Sequence, residues 1–170
     1  GSGDNMTPSV ETLSFDELIS SLGSSIDVVI DADGAVLGRL ASYVAKLLRL
    51  GFRLHVVNVE KSVVTGSRNR IVEGYKLWLE IKTLRNPYRH SPKRPRNPVL
   101  LFKKTVKNML PKENSLSLKL LRNLKAYIDV PPALEKAKRY KIVDALADKL
   151  MRKEFITVAE LCKELGWRGL

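Results

Sequence analysis

Apolar residues in the first third of the chain follow two different periods. Residues 26–30 (IDVVI) and 53–59 (RLHVVNV) are short segments rich in β-branched side chains, which is typical of buried strands. Between them, apolar residues recur at intervals of three and four from Leu37 to Leu48, and this period predicts an amphipathic helix that ends near Gly51. A crossover of this length excludes a hairpin, so the pattern predicts a βαβ unit with a parallel strand pair.

The following segments continue this α/β pattern. We expect a short strand at 62–65, helices at 70–82, 99–110 and 116–121, and a last strand at 124–130. Pro111 ends the second of these helices, because proline cannot continue a helix interior. The sequence therefore predicts an α/β core over residues 27–130.

Both ends of the chain are predicted to lie outside that core. Residues 1–26 form an acidic N-terminal extension with a tail at 1–13, and a capping box from Ser14 to Glu17 predicts a short helix. Pro131-Pro132 marks a boundary, after which a helical C-terminal extension covers 131–170. We expect helices there at 142–152 and 158–165, the second opened by the capping box from Thr157 to Glu160.

Residues 85–98 (RNPYRHSPKRPRNP), called the arm below, have a different composition from the rest. The arm holds five Lys/Arg, four of the eight prolines, and no acidic or aliphatic residue. Its prolines exclude helix and favour an extended backbone, and it has too little apolar surface to fold alone. The arm therefore needs a polyanion to lie against. Tyr88 and His90 can stack on bases, which fits RNA loops and junctions better than a regular duplex.

The positive charge of the chain is concentrated around the arm. The formal net charge is +12, and residues 68–125, called the basic sector below, contain 16 Lys/Arg against 3 Asp/Glu. An excess of one sign without counter-charges predicts a polyanionic partner rather than a merely solvated surface. An anionic membrane is disfavoured, because the arm has no apolar face to insert. Nine bases with no acid among them lie between 85 and 112: Arg85, Arg89, Lys93, Arg94, Arg96, Lys103, Lys104, Lys107 and Lys112.

The cysteine content indicates a reducing compartment, and the hydropathy indicates no membrane-spanning segment. Cys162 is the only cysteine, so no intrachain disulfide forms, and its apolar helical neighbours predict a buried structural thiol. No apolar run approaches the roughly 18 residues that span a bilayer, and the N-terminus lacks the pattern of a signal peptide. We expect a cytoplasmic protein.

No catalytic or metal site is predicted. Gly34 and Gly38, between a strand and a helix, lack the spacing of a nucleotide-binding loop, and a tight turn is the favoured interpretation. His55 is expected in a strand or the core, and two histidines with one distant cysteine make no zinc set. No nucleophile, base and acid occur at a recommended spacing. We therefore expect no enzyme activity, no cofactor and no small-molecule substrate.

Five motifs occur in an order that resembles one family. They are VIDADGAVLGRLAS at 29–42, VNVEK with VTG between 57 and 66, TLRNPYR at 83–89, TVKNMLP at 105–111 and LKAY at 124–127. Together they resemble the ribosomal protein L13 family of the large ribosomal subunit, over about residues 28–130. The arm is similar to that of the archaeal and eukaryotic branch. One departure is Asn108, where we expect the family's glycine; asparagine tolerates left-handed backbone better than most residues.

The resemblance implies a fold, a role and a set of contacts. The implied fold is a three-layer α/β/α core around a four-stranded, mainly parallel sheet, with Gly34 and Gly38 as scaffold glycines. The implied role is a structural, non-catalytic constituent of the cytoplasmic ribosome, bound to large-subunit ribosomal RNA and to neighbouring ribosomal proteins. It implies RNA contacts along 85–96 and at Lys61, Arg68, Arg70, Lys104, Lys107 and Lys125.

Two alternatives remain at this point. A regulator acting off the ribosome could use the same basic sector on a messenger RNA. A small nucleotide-dependent enzyme built on the βαβ unit would bind a free nucleotide at Gly34 to Gly38.

Overall fold

The computed structural model describes residues 10–85, 97–112, 114–147 and 154–169; the side chains of residues 78–85 and 114 are not described. The strands are β1 (Val10–Leu13), β2 (Asp27–Asp31), β3 (Arg53–Val57), β4 (Val63–Thr65), β5 (Leu124–Ala126), β6 (Arg139–Ile142) and β7 (Phe155–Thr157). The α-helices are α1 (Phe15–Leu22), α2 (Leu37–Arg49), α3 (Arg68–Arg85), α4 (Pro98–Asn108), α5 (Asn114–Leu121) and α6 (Val158–Glu164). Short 3-10 helices cover Val59–Lys61, Pro132–Leu134 and Val143–Ala145.

The main sheet has five parallel strands in the order β1-β6-β2-β3-β5. The predicted βαβ unit is confirmed, since β2 and β3 pair in parallel with Val29 opposite His55. α2 provides the crossover, and Leu40, Val44 and Leu48 join the core with Leu54 and Val56 of β3. The α/β class is thereby confirmed; the arrangement in three layers stays a prediction.

The number of strands differs from the predicted four. β1 belongs to the segment expected to be a tail, and β6 to the segment expected to be helical. β1 (VETL) alternates exposed and half-buried positions, and β6 (RYKI) carries two charged residues, so neither has the apolar run that marks a buried strand. The predicted strand at 62–65 does form, but it pairs antiparallel with β7 in a separate two-stranded sheet.

The prediction of a helix at 142–152 is wrong for residues 142–147, the part that the structure describes. Ile142 ends β6, a 3-10 helix follows, and Leu146 forms an isolated bridge with Ala35. The amide of Val36 donates to the carbonyl of Ala145 at 2.8 Å, and the amide of Ala147 donates to Gly34 at 2.9 Å. These long-range hydrogen bonds hold the segment against the turn before α2. The apolar residues of the segment have helical spacing, but its backbone pairs with this turn instead of forming a helix. Residues 148–153 lie outside the described residues.

The capping box predicted for α1 is confirmed, and that predicted for α6 is formed in its Thr157 half. Ser14 accepts from the amide of Glu17 at 3.2 Å, and the Glu17 carboxylate accepts from the Ser14 amide at 3.4 Å, which completes the capping box of α1. Thr157 caps α6 by accepting from the Glu160 amide at 3.1 Å. Both caps provide partners for amides that the first helical turn leaves unbonded.

The basic sector is inserted between two neighbouring strands of the main sheet. β3 and β5 pair in parallel, with His55 opposite Lys125. Between them the chain runs through β4, α3, the arm, α4 and α5. α4 packs on α2 through Leu101, Phe102 and Val106, which are 0–2% exposed. The sheet and α2 therefore form a fixed base for the basic sector.

Candidate nucleic-acid interface

Helix α4 carries three lysines of the basic sector, and its other face is packed against the core. Asn97 caps the helix by accepting from the Val99 amide at 2.8 Å, and Pro98 occupies its first turn, where a missing amide proton costs nothing. Because Phe102 and Val106 are buried, Lys107 points from the exposed side, whereas Lys103 and Lys104 are half-buried. Lys112, beyond the end of the helix, is exposed. Lys107 and Lys112 are thus exposed cations near the C-terminal end of α4.

The first turn of α3 ties the basic sector to α6. The guanidinium of Arg68 donates to Glu160 at 3.2 Å and to Glu164 at 2.5 Å. Hydrogen bonding to Glu164 is the main reason that the pKa of Arg68 lies above its ordinary value. Arg68 was expected to contact RNA; in this structure its guanidinium already has two carboxylate partners, and the contact stays a prediction.

Lys61 lies at the carboxyl edge of the main sheet, beside a group of polar residues. Its Nζ is 3.7 Å from Oδ1 of Asp129. The amide of Asp129 donates to both carboxylate oxygens of Glu60, at 3.2 and 3.1 Å. Glu60 is 8% exposed, and burial is the main cause that raises its pKa. The VNVEK motif thus supplies a buried support in Glu60 and a surface cation in Lys61.

Asn58 and Asp129 are structural residues that the sequence interpretation missed. Both adopt left-handed backbone, with φ of 58° and 55°. Nδ2 of Asn58 donates to Oδ1 of Asp31 at 2.9 Å, which links the ends of β2 and β3. For Asn58 the available signal was the residue type directly after β3, since asparagine enters this region more readily than most non-glycine residues; Asp129 lies three positions beyond β5 and had no such signal.

Lys125 is exposed on β5, next to His55 on β3. His55 lies in a strand as predicted, half-buried, with Nδ1 3.2 Å from the hydroxyl of Tyr127 and the two rings stacked. Its Nε2 is 3.6 Å from Asp27. These contacts account for His55 as a structural residue beside Lys125.

A groove runs between α3 and α4, the two helices that flank the arm. Its cavity volume is about 430 Å³. Arg70 and Tyr75 line it from α3, and Lys104 and Asn108 from α4. Asn108 is the last residue of α4, so its backbone is helical and needs no left-handed conformation. Burial raises the pKa of Tyr75, so its hydroxyl stays protonated at neutral pH.

Three amides of the turn at Gly34 are bonded inside the protein. Gly34 has a φ of 78°, and its amide donates to Lys61 at 3.2 Å. The next two amides donate to Ala32 and Ala145. Since these three groups are already bonded inside the protein, the favoured interpretation as a tight turn agrees with the structure. Among the described residues, no group of three or more His, Cys, Asp or Glu could hold a metal ion.

Several predicted contact residues cannot be placed. Arg85 ends α3, and its side chain is outside the described residues. The same holds for Tyr88, Arg89, His90, Lys93, Arg94 and Arg96 of the arm. Within the described part of the chain, no helix is both long and apolar enough to cross a membrane.

Comparison of the sequence with known proteins identifies its relatives. Residues 26–133 match the family model of ribosomal protein L13. A large ribosomal subunit protein uL13 from Sulfolobus acidocaldarius is 47% identical over 82% of this chain and 93% of its own length. The protein of the same name from Saccharolobus solfataricus is 44% identical over 84% of this chain and 94% of its own. That from Archaeoglobus fulgidus is 39% identical over 90% and 96%.

Proposed function

The chain belongs to the ribosomal protein L13 family, and from this premise we propose that it is a structural constituent of the large ribosomal subunit that binds ribosomal RNA through its basic sector and arm. The observation that carries the proposal is the position of the basic sector. Nearly all of it is an insertion between β3 and β5, supported by a sheet and by α2, with Lys103, Lys104 and Lys107 on a helix whose opposite face is buried.

The proposed mechanism is phosphate neutralisation on a preformed surface. Lysine and arginine side chains release counterions from RNA when they pair with phosphates, and this supplies affinity without sequence readout. The arm adds extended reach and stacking groups, while α3 and α4 determine where it begins and ends. The proposed contacts are Lys61, Arg68, Arg70, Arg85, Tyr88, Arg89, His90, Lys93, Arg94, Arg96, Lys103, Lys104, Lys107, Lys112 and Lys125.

The proposed partners are large-subunit ribosomal RNA and adjoining ribosomal proteins, in the cytoplasmic ribosome. We propose no catalytic residue, cofactor, metal or small-molecule substrate. The terminal segments are the proposed surfaces for neighbouring proteins, since the acidic residues of the first thirty positions repel RNA.

Two measurements test this function. The protein should co-sediment with large subunits on a gradient, and recovery in light fractions alone would contradict the proposal. With 6 to 10 phosphate contacts, affinity for isolated large-subunit RNA should fall about 10³- to 10⁵-fold between about 50 and 200 mM salt. Crosslinking to one messenger with little to ribosomal RNA would instead support a regulator off the ribosome.

Replacing four arm bases together tests the arm. The variant Arg89→Ala, Lys93→Ala, Arg94→Ala, Arg96→Ala should weaken subunit association while its melting temperature stays that of the unaltered chain. The expected reason is that the arm contributes phosphate contacts and no core packing. A sharp fall in melting temperature would show that the arm belongs to the core.

A further inference from the structure

The groove between α3 and α4 combines an apolar floor with a cationic rim. Leu101 is 2% exposed, and Val64 and Ile71 are half-buried, so the floor is made of aliphatic side chains. Arg70 and Lys104 stand on the two sides of the groove, one on each helix. Among the described residues that line it, none is acidic. This charge distribution favours an occupant with an apolar face and an attached anion.

Gly74 leaves an open space in the wall of the groove. The residue lies in the interior of α3, and a Cβ built on it would meet nothing within 4 Å. Glycine in a helix interior costs about 0.5–1 kcal/mol relative to alanine, because it gives up more backbone entropy. The backbone at Gly74 is helical, so its conformation does not require glycine. A larger side chain at this position would fill the open space in the groove.

The polar groups of the groove leave acceptors and donors for a ligand. Thr105 lines the groove, and its hydroxyl donates to the carbonyl of Leu101 at 2.8 Å, which leaves the hydroxyl oxygen with acceptor capacity. Asn108, exposed at the end of α4, carries both a donor and an acceptor. A volume of about 430 Å³ lies within the range of small-molecule and cofactor sites.

We infer that this groove receives one unstacked nucleotide of single-stranded RNA. The base lies on the floor formed by Val64, Ile71 and Leu101, over the gap at Gly74, and its phosphate lies between Arg70 and Lys104. Recognition of RNA by unstacked bases in apolar and aromatic surroundings is common, and a guanidinium pairs well with a phosphate. The inference rests on the proposed function, since it names how one part of the ribosomal RNA is held.

The test fills the groove without removing a charge. Gly74→Leu places an aliphatic side chain over the floor, while Gly74→Ala adds only a methyl group. Gly38→Leu is the matched control, because Gly38 is also helical and exposed, has nothing within 4 Å of an added Cβ, and lies away from the groove. All three should fold, since each replaces a helical glycine by a better helix former.

Affinity of the full chain for large-subunit ribosomal RNA is measured against salt for each variant. Burial of about 40–120 Å² of apolar surface between the base and the aliphatic floor contributes about 1–3 kcal/mol, so Gly74→Leu should weaken binding about 5- to 150-fold. Its salt slope should stay close to that of the unaltered chain, because no cationic side chain is removed. Gly74→Ala and Gly38→Leu should bind nearly as the unaltered chain does. Chemical probing should find one base that becomes reactive only with Gly74→Leu.

The outcomes separate this inference from the proposed function. If the unaltered chain binds the RNA with a strong salt dependence and Gly74→Leu binds equally well, the inference is wrong and the function stands. An equal loss in Gly38→Leu, or a reduced salt slope in Gly74→Leu, also overturns it. If the unaltered chain itself shows no salt-dependent binding, the proposed function fails.

Discussion

Glu60 is buried at the carboxyl edge of the sheet, where both of its carboxylate oxygens accept the amide of Asp129. Asp129 has a φ of 55°, a conformation that costs an L-residue on the order of 1–2 kcal/mol. The hydrogen bonds from its amide offset part of this cost. Asp129 in turn lies 3.7 Å from the ammonium of Lys61. One buried carboxylate thus determines where a surface cation is held.

Glu60→Gln should change how stability depends on pH. Burial raises the pKa of Glu60 above its ordinary value of 4.5, so between these two pKa values the folded chain binds more protons than the unfolded one. The free energy of unfolding therefore falls as pH rises through that window. Glutamine has no proton to lose, so the melting temperature of the unaltered chain relative to Glu60→Gln should decline as pH rises above 4.5. Glu135→Gln, at an exposed site, is the control that removes one carboxylate outside the core.

Cys162 should be inert in the folded chain. It is 0% exposed, and burial raises the pKa of its thiol to about 12. At about pH 8 the thiolate fraction is then about one in ten thousand, and only the thiolate attacks a disulfide reagent. Reaction with a chromogenic disulfide should be very slow in buffer and rapid in denaturant. Fast labelling of the folded chain would contradict the buried position of α6.

At the scale of elements, the segments with one strong period could be predicted from the sequence. The β2–α2–β3 unit and the helix predicted at 99–110 follow from apolar spacing, and the caps of α1 and α6 follow from Ser14 and Thr157. Pro98, which the composition assigns to the arm, is instead in the first turn of α4. β1 and β6 could not be predicted, because they are short and carry charges, and only their pairing with each other and with β2 makes them strands. The groove likewise depends on how α3 and α4 pack.

Arg68 joins α3 to α6 and should help to orient the helix that leads to the arm. Its side chain and both glutamates are about half-exposed, so each ion pair alone is weak, although the three charges form a network. Arg68→Ala should lower the melting temperature only slightly but speed amide hydrogen exchange in α6. Arg70→Ala is the control, since it removes a cation from the same turn outside this network. Unchanged exchange in α6 would show that the pairs contribute nothing.

At the scale of the whole molecule, the two ends of the chain complete one sheet. β6 lies between β1 and β2, so the segment after Pro131 contributes an inner strand, and the segment before Ser14 contributes an edge strand. Lys138 and Glu11 add an ion pair of 2.7 Å beside their junction. The base on which the basic sector stands is therefore assembled from residues far apart in the chain.

Ile142→Ala should show that the segment after Pro131 unfolds together with the core. Ile142 is 1% exposed within the core cluster, whereas the adjacent Val143 is 47% exposed. Removing a buried isoleucine costs about 2–5 kcal/mol, so Ile142→Ala should lower the free energy of unfolding by that amount in one cooperative transition. Val143→Ala should change it by less than about 0.5 kcal/mol. Denaturant unfolding of both variants is followed by the fluorescence of Trp167 and by far-ultraviolet circular dichroism. If the residues after Pro131 were an independent appendage, Ile142→Ala would leave the main transition in place and split the two signals.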